Sequence, residues 1–115
     1  MINIGILGCG RVVENRYVEV FQKEISDAKV IMACDKIRQK ADKISNLLGC
    51  IASYDSKELI SSNKIDVILI CTESGKHYNH ALEALSAGKH VIVEKPPALL
   101  PDQIVNLENL AKEKK

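Results

Sequence analysis

A chain of 115 residues, 46% hydrophobic and 27% charged, has the size and composition of one globular domain. Its formal net charge of +1 supplies no field for nucleic acid or a membrane surface, and no apolar run approaches the length of a membrane span. Met1 leads straight into Ile4-Gly5-Ile6-Leu7 with no basic leader, so a cytoplasmic protein is expected; the scattered Cys9, Cys34, Cys50 and Cys71 argue against a disulfide framework or a metal site.

Short apolar runs alternate with amphipathic stretches, the pattern of βαβ units. Asn3 to Leu7 reads as a buried strand, broken by Gly8-Cys9-Gly10. A helix is expected from Arg11 to about Glu24, with Val13, Tyr17, Val20, Phe21 and Glu24 along one side, only the last of them charged. Lys29 to Cys34 forms a second strand closed by Asp35. Ile37, Ala41, Ile44 and Leu48 space out a second helix, with Gly49 at a left-handed cap. A short strand falls at Cys50 to Ser53, and Asp55-Ser56-Lys57-Glu58 is a variant capping box opening a short helix.

Val67 to Cys71 is apolar throughout, as a strand covered on both faces must be. A helix follows from about Lys76 to Ala87, with Tyr78, Ala81, Leu82 and Leu85 inward and Gly88 as its stop. His90 to Val93 is a fifth strand, and a last helix starts near Pro101. Right-handed crossovers then give an α/β, Rossmann-like, doubly wound parallel sheet of order 3-2-1-4-5. Residues 1–115 read as a single dinucleotide-binding domain that stops short of a sixth strand, the expectation being a fragment of a larger enzyme.

Three features carry chemistry. Gly8-Cys9-Gly10-Arg11-Val12-Val13 reads G-x-G-x-x-V after a strand and before a helix. There Gly8 allows the turn and Gly10 admits a pyrophosphate, which rests on N–H groups of the helix start at Arg11 and Val12. Val13 stands where Gly or Ala is usual, which predicts a helix set slightly farther out. Asp35, at the end of the second strand, suits the ribose hydroxyls of NAD and repels the 2′-phosphate of NADP; on its own it also suits a helix cap. Lys36 and Arg38 beside it could instead receive a phosphate. The third feature runs from Thr72-Glu73 through His77 to Ala87-Gly88-Lys89-His90-Val91 and Glu94-Lys95-Pro96.

With that third stretch the chain resembles the N-terminal domain of the glucose-fructose oxidoreductase / inositol dehydrogenase / rhizopine catabolism family. Members show G-x-G-x-x-A, an Asp after strand two, T-P-x-x-x-H and A-G-K-H-V-x-x-E-K-P. Val13 and Glu73 depart from that pattern, and the T-E-S-G-x-H form resembles members that oxidise nucleotide-linked amino sugars in surface-polysaccharide synthesis.

The resemblance implies an NAD-dependent oxidoreductase acting by hydride transfer on a secondary hydroxyl of a sugar, polyol or nucleotide-linked sugar, NADP being the lesser alternative. Thr72, Glu73, His77, Glu94 and Lys95 would face the cofactor, with Lys95 the catalytic lysine that orients the hydroxyl. The family's C-terminal α+β domain, absent here, would supply the proton acceptor and the substrate contacts, in a homo-oligomer. His77 and His80 form an i, i+3 pair, but without a third ligand His80 reads as an ordinary helix residue and His90 as structural. Cys9, Cys34 and Cys71 should gather near the cofactor edge as packing groups. A non-catalytic NAD(P)(H)-sensing module is the competing reading, and the Glu94-Lys95-Pro96 signature favours the enzyme.

Overall fold

The computed structural model describes residues 2–11, 13–23, 27–72, 77–93 and 109. Val12, Glu73, Glu94, Lys95 and the helix expected near Pro101 lie outside them. Five parallel strands form one sheet: β1 (Ile2–Leu7), β2 (Ala28–Cys34), β3 (Ile51–Ser53), β4 (Val67–Ile70) and β5 (His90–Val93). Their order is β3-β2-β1-β4-β5, as the alternating pattern predicts.

Register aligns the strand ends. Leu7 pairs with both Cys34 and Ile70, Cys34 with Ser53, and Ile70 with Val93. The residues after these positions therefore emerge along one edge. Because the chain crosses from β3 over to β4, the ends of β1 and β4 flank the point where strand order reverses, which is where open α/β sheets bind ligands.

The apolar residues alternate between the two faces of the sheet. Ile4, Ile6 and Leu69 pack with Val13, Val18 and Ile44 on one side. Leu7, Ile68 and Ile70 pack with Leu59, Ile60, Ile65, Ala81 and Ala84 on the other. The first face is covered by α1 (Val18–Gln22) and α2 (Arg38–Leu48), the second by α3 (Ser56–Ser61) and α4 (His77–Ser86). At Gly5 an added Cβ would come within 2.9 Å of Ile65 Cδ1 and 3.2 Å of Leu59, so the missing side chain admits this second layer. A register shift between Ile4 and Gly5 lets β2 carry one extra residue against β1.

The first helix differs from its sequence reading. Val13–Tyr17 is π-helical and only Val18–Gln22 is α-helical. A π turn brings i and i+5 into line instead of i and i+4. Val13 and Val18 are accordingly both buried, while Val20, placed inward by the α-helical spacing, is 50% exposed. Val13 does not stand off the core: it is fully buried, and the widened turn begins at that residue.

Other boundaries moved little. Gly49 ends α2 at φ 68° with its N–H on the Ser45 carbonyl, and Gly88 follows α4 at φ 80°. Ala81, Ala84 and Leu85 are the buried residues of α4, with Tyr78 and Leu82 half-buried. The capping box is half realised. Asp55 accepts the Lys57 N–H at 3.0 Å, but the Asp55 N–H meets Ser53 Oγ, not Glu58.

Candidate dinucleotide cleft

Gly8 follows β1 at φ 97°, and a Cβ there would lie 2.7 Å from both the Cys71 carbonyl carbon and the Thr72 nitrogen. The turn is thus pressed against the end of β4, where only glycine fits. It is pinned by the Gly8 N–H on the Cys34 carbonyl (2.8 Å) and the Cys71 N–H on the Leu7 carbonyl (2.7 Å). Gly10 is the opposite case. A Cβ there would meet nothing within 4 Å among the described residues, so their packing does not require this glycine. The space it leaves opens on the cleft, and a ligand's backbone-hugging phosphates fit that vacancy of side chain. Arg11, one residue on, is exposed.

Asp35 leaves β2 at the same edge and holds the turn in place. Its Oδ2 accepts the Cys9 N–H at 2.9 Å, and its Oδ1 accepts the Ile37 N–H at 2.9 Å. The Asp35 N–H donates to the Ser53 carbonyl at 3.1 Å. Ile37 caps α2 without a side-chain hydrogen bond, so Asp35 supplies that entry from two residues earlier. Both readings of this residue therefore meet in one carboxylate. It organises the helix entry, and each oxygen keeps a lone pair for a ribose hydroxyl.

Lys36, Lys40 and Tyr54 extend the lining beyond Asp35. The Arg38 guanidinium lies 4.4 Å from the centre of the Tyr54 ring, and the Tyr54 hydroxyl donates to Asp42 Oδ1 at 2.5 Å. That hydrogen bond to a carboxylate pushes the Tyr54 phenol above its ordinary range.

Cys9, Cys34 and Cys71 line the same cleft, as expected. Cys9 and Cys34 are buried, and Cys9 Sγ donates to the Cys34 carbonyl at 3.4 Å. Burial, followed by the nearby Asp35 charge, drives the Cys9 thiol far up; burial also raises Cys34 and Cys50. These are packing groups held neutral, not nucleophiles.

Thr72 stands just past β4 and also lines the cleft, with its Oγ1 2.9 Å from His80 Nδ1. His80 thus reaches the cleft from α4, which corrects its reading as an ordinary helix residue. His77 opens the same helix. Gly8, Gly10, Asp35 and Thr72 are brought to one place, whereas Val12, Glu73, Glu94 and Lys95 lie outside the described residues. The sequence reading missed Tyr54, Lys40 and His80. Tyr54 was accessible in principle, because it follows β3 as Asp35 follows β2; nothing in the sequence marks His80 apart from its helical spacing to His77.

No helix among the described residues is long and apolar enough to cross a membrane. The chain is 30% identical over 103 residues to the D-glucoside 3-dehydrogenase of Escherichia coli, covering 89% of this chain and 29% of that protein. It is 32% identical over 108 residues to the inositol 2-dehydrogenase of Azotobacter vinelandii, covering 92% of this chain and 32% of that enzyme. It therefore spans about a third of the length of these curated relatives. Its fold matches KijD10, a 3-ketoreductase from Actinomadura kijaniata solved with NADP and TDP-benzene, with a TM-score of 0.92 at 23% identity, covering 98% of this chain and 34% of that one. Residues 2–115 match the model of the oxidoreductase family with an NAD-binding Rossmann fold, and the chain, with its glycine turn at the reversal of strand order and Asp35 at the end of β2, belongs to that glucose-fructose oxidoreductase / inositol dehydrogenase / rhizopine catabolism family.

Proposed function

We propose that the cleft binds NAD and serves as the cofactor half of a dehydrogenase acting on a secondary hydroxyl of a sugar, polyol or nucleotide-linked sugar. The observation that carries this reading is the pairing of two glycines with opposite constraints. Gly8 is demanded by the protein's own backbone, while Gly10 is not. A glycine that the described packing does not require, in the turn after β1 at the strand-order reversal and one strand from Asp35, suits a pyrophosphate laid against the chain.

NAD is favoured over NADP by Asp35, which lies at the cleft with no spare charge partner among its described hydrogen bonds. A 2′-phosphate there would face like charge. Of the two basic residues beside Asp35 that could receive that phosphate, Arg38 lies over the Tyr54 ring, and Lys36 lines the cleft. When bound, the nicotinamide accepts hydride. In this reading Gly8, Gly10, Arg11 and Val12 bind the pyrophosphate, and Asp35 orients the adenosine ribose. Thr72, Glu73, His77 and Glu94 bound the nicotinamide side, and Lys95 directs the substrate hydroxyl.

Residues 1–115 act as the dinucleotide-binding unit. A second domain, for which the relatives' greater length leaves room, supplies the substrate contacts and the proton acceptor within a cytoplasmic homo-oligomer. The names of the glucoside and inositol dehydrogenases support the substrate class. Calorimetric titration of NAD into Gly10→Ala tests the reading: loss of binding by a folded variant supports it, and retained binding contradicts it.

A further inference from the structure

Three side chains meet at the end of the cleft beyond Asp35. Arg38 and Asp42 lie one turn apart on α2, and Tyr54 follows β3. Residues four apart share a helix face, and here both reach the same ring. The Arg38 guanidinium lies 4.4 Å from the ring centre, and the Tyr54 hydroxyl donates to Asp42 Oδ1 at 2.5 Å. Tyr54 is thereby fixed at its face and at its rim, although it is 37% exposed.

The arrangement separates three cations that the sequence places together. Lys36 and Lys40 line the cleft alongside Tyr54, while Arg38 is not among the described lining residues. Its guanidinium rests on the Tyr54 ring instead, at the end of an exposed side chain. A guanidinium grips a phosphate by two oxygens at once, whereas an ammonium acts as a point charge. The cation best shaped for a 2′-phosphate is thus the one held off the cleft.

We propose that Tyr54 is a positioning residue that sets cofactor selectivity: its ring parks the Arg38 guanidinium away from the ribose end of the cleft, which favours the dinucleotide without a 2′-phosphate. The inference rests on the reading of the cleft as a dinucleotide site and adds a second source of selectivity to it. Asp35 repels the extra phosphate, and Tyr54 withholds that phosphate's best partner. Asp42 orients the ring by accepting its hydroxyl. A cation held over an aromatic ring at an exposed site is worth about three- to fivefold in an equilibrium. A Tyr54 that merely secured the loop after β3 would shift the affinities of both dinucleotides alike. Release of Arg38 shifts only that of the dinucleotide carrying the 2′-phosphate.

The test is fluorescence titration of NADH and NADPH against wild type, Tyr54→Leu, Arg38→Gln and the double variant, with circular dichroism confirming each fold. Tyr54→Leu is expected to raise NADPH affinity relative to NADH about three- to fivefold. That rise should vanish in the Arg38→Gln background, where Lys36 and Lys40 remain. Tyr54→Phe keeps the ring and should hold the wild-type ratio to within about twofold. Should Tyr54→Leu fail to fold, Arg38→Gln alone carries the test. A parked guanidinium contributes little, so NADPH affinity should stay within about twofold of wild type, and a larger fall overturns the proposal. An unchanged ratio in Tyr54→Leu, or a rise that persists without Arg38, overturns the role of Tyr54 alone. Absence of binding of either dinucleotide by wild type overturns the reading of the cleft and the role of Tyr54 with it.

Discussion

Cys9 and Asp35, 26 positions apart, are joined by a 2.9 Å hydrogen bond from the backbone N–H of one to the carboxylate of the other. The same carboxylate holds the Ile37 N–H. The turn after β1 and the entry to α2 are thereby locked together before any ligand arrives. A group usually thought of as ligand-facing is also a structural tie.

That tie predicts a stability cost at Asp35 without cofactor. Asp35→Ala strands the part-buried Cys9 N–H, worth about 1–3 kcal/mol when left unpaired, and leaves the exposed Ile37 N–H to water. Thermal unfolding without ligand should show a fall of several degrees, on the order of 4–8 °C per kcal/mol for a domain near this size. An unchanged melting temperature would mean that Asp35 serves the ligand alone.

The two glycines should part company. Gly8→Ala places a Cβ 2.7 Å from backbone atoms at φ 97°, so the variant is expected to unfold or melt far below wild type. Gly10→Ala meets nothing within 4 Å among the described residues and should keep the wild-type melting temperature to within about 2–4 °C (~0.5 kcal/mol). Equal damage from both substitutions would show that the open space at Gly10 is not open.

The π turn makes a prediction opposite to an α-helical reading. Val18 is 6% exposed and Val20 is 50% exposed. Val18→Asp buries a charge and should cost well over about 2 kcal/mol, whereas Val20→Asp should fall within about 0.5 kcal/mol of wild type. Urea denaturation distinguishes them. A larger loss at Val20 would restore the regular helix.

Buried thiols add a pH dependence at the alkaline end. Burial raises Cys9, Cys34 and Cys50 above the ordinary 9.0. Their contribution is fully present below 9.0, where the unfolded chain also keeps its thiols protonated, and is lost as pH rises through the higher folded values. Urea midpoints should therefore drop above pH 9.0, and less steeply in Cys9→Ala. A Cys9→Ala midpoint with the full wild-type slope would mean that the thiol is not held neutral.

The sheet was legible because its strands announce themselves twice. Val67 to Ile70 and Ile4 to Leu7 are unbroken apolar runs, and Gly8 marks the stop of β1 as Asp35 marks that of β2. Gly8, Asp35 and Thr72 could be placed at one edge because parallel register aligns strand ends. The π turn was not legible, since Tyr17 and Phe21 fit a 3.6-residue period and the extra residue per turn leaves no mark in composition. His80 was missed because a helical position says which face a residue occupies, not what an adjacent strand end brings to it. Thr72 supplies that partner only once β4 and α4 are folded together.

The measurement closest to the central claim is a paired calorimetric titration of NAD and NADP into the wild-type chain. Saturable binding at one site, with NAD preferred roughly tenfold or more, is the expected result, because Asp35 meets ribose hydroxyls in one cofactor and a phosphate in the other. NADP binding as tight as NAD or tighter would contradict the assigned role of Asp35 and shift it to Lys36 and Lys40. No saturable binding of either would contradict the cleft's assignment as a dinucleotide site.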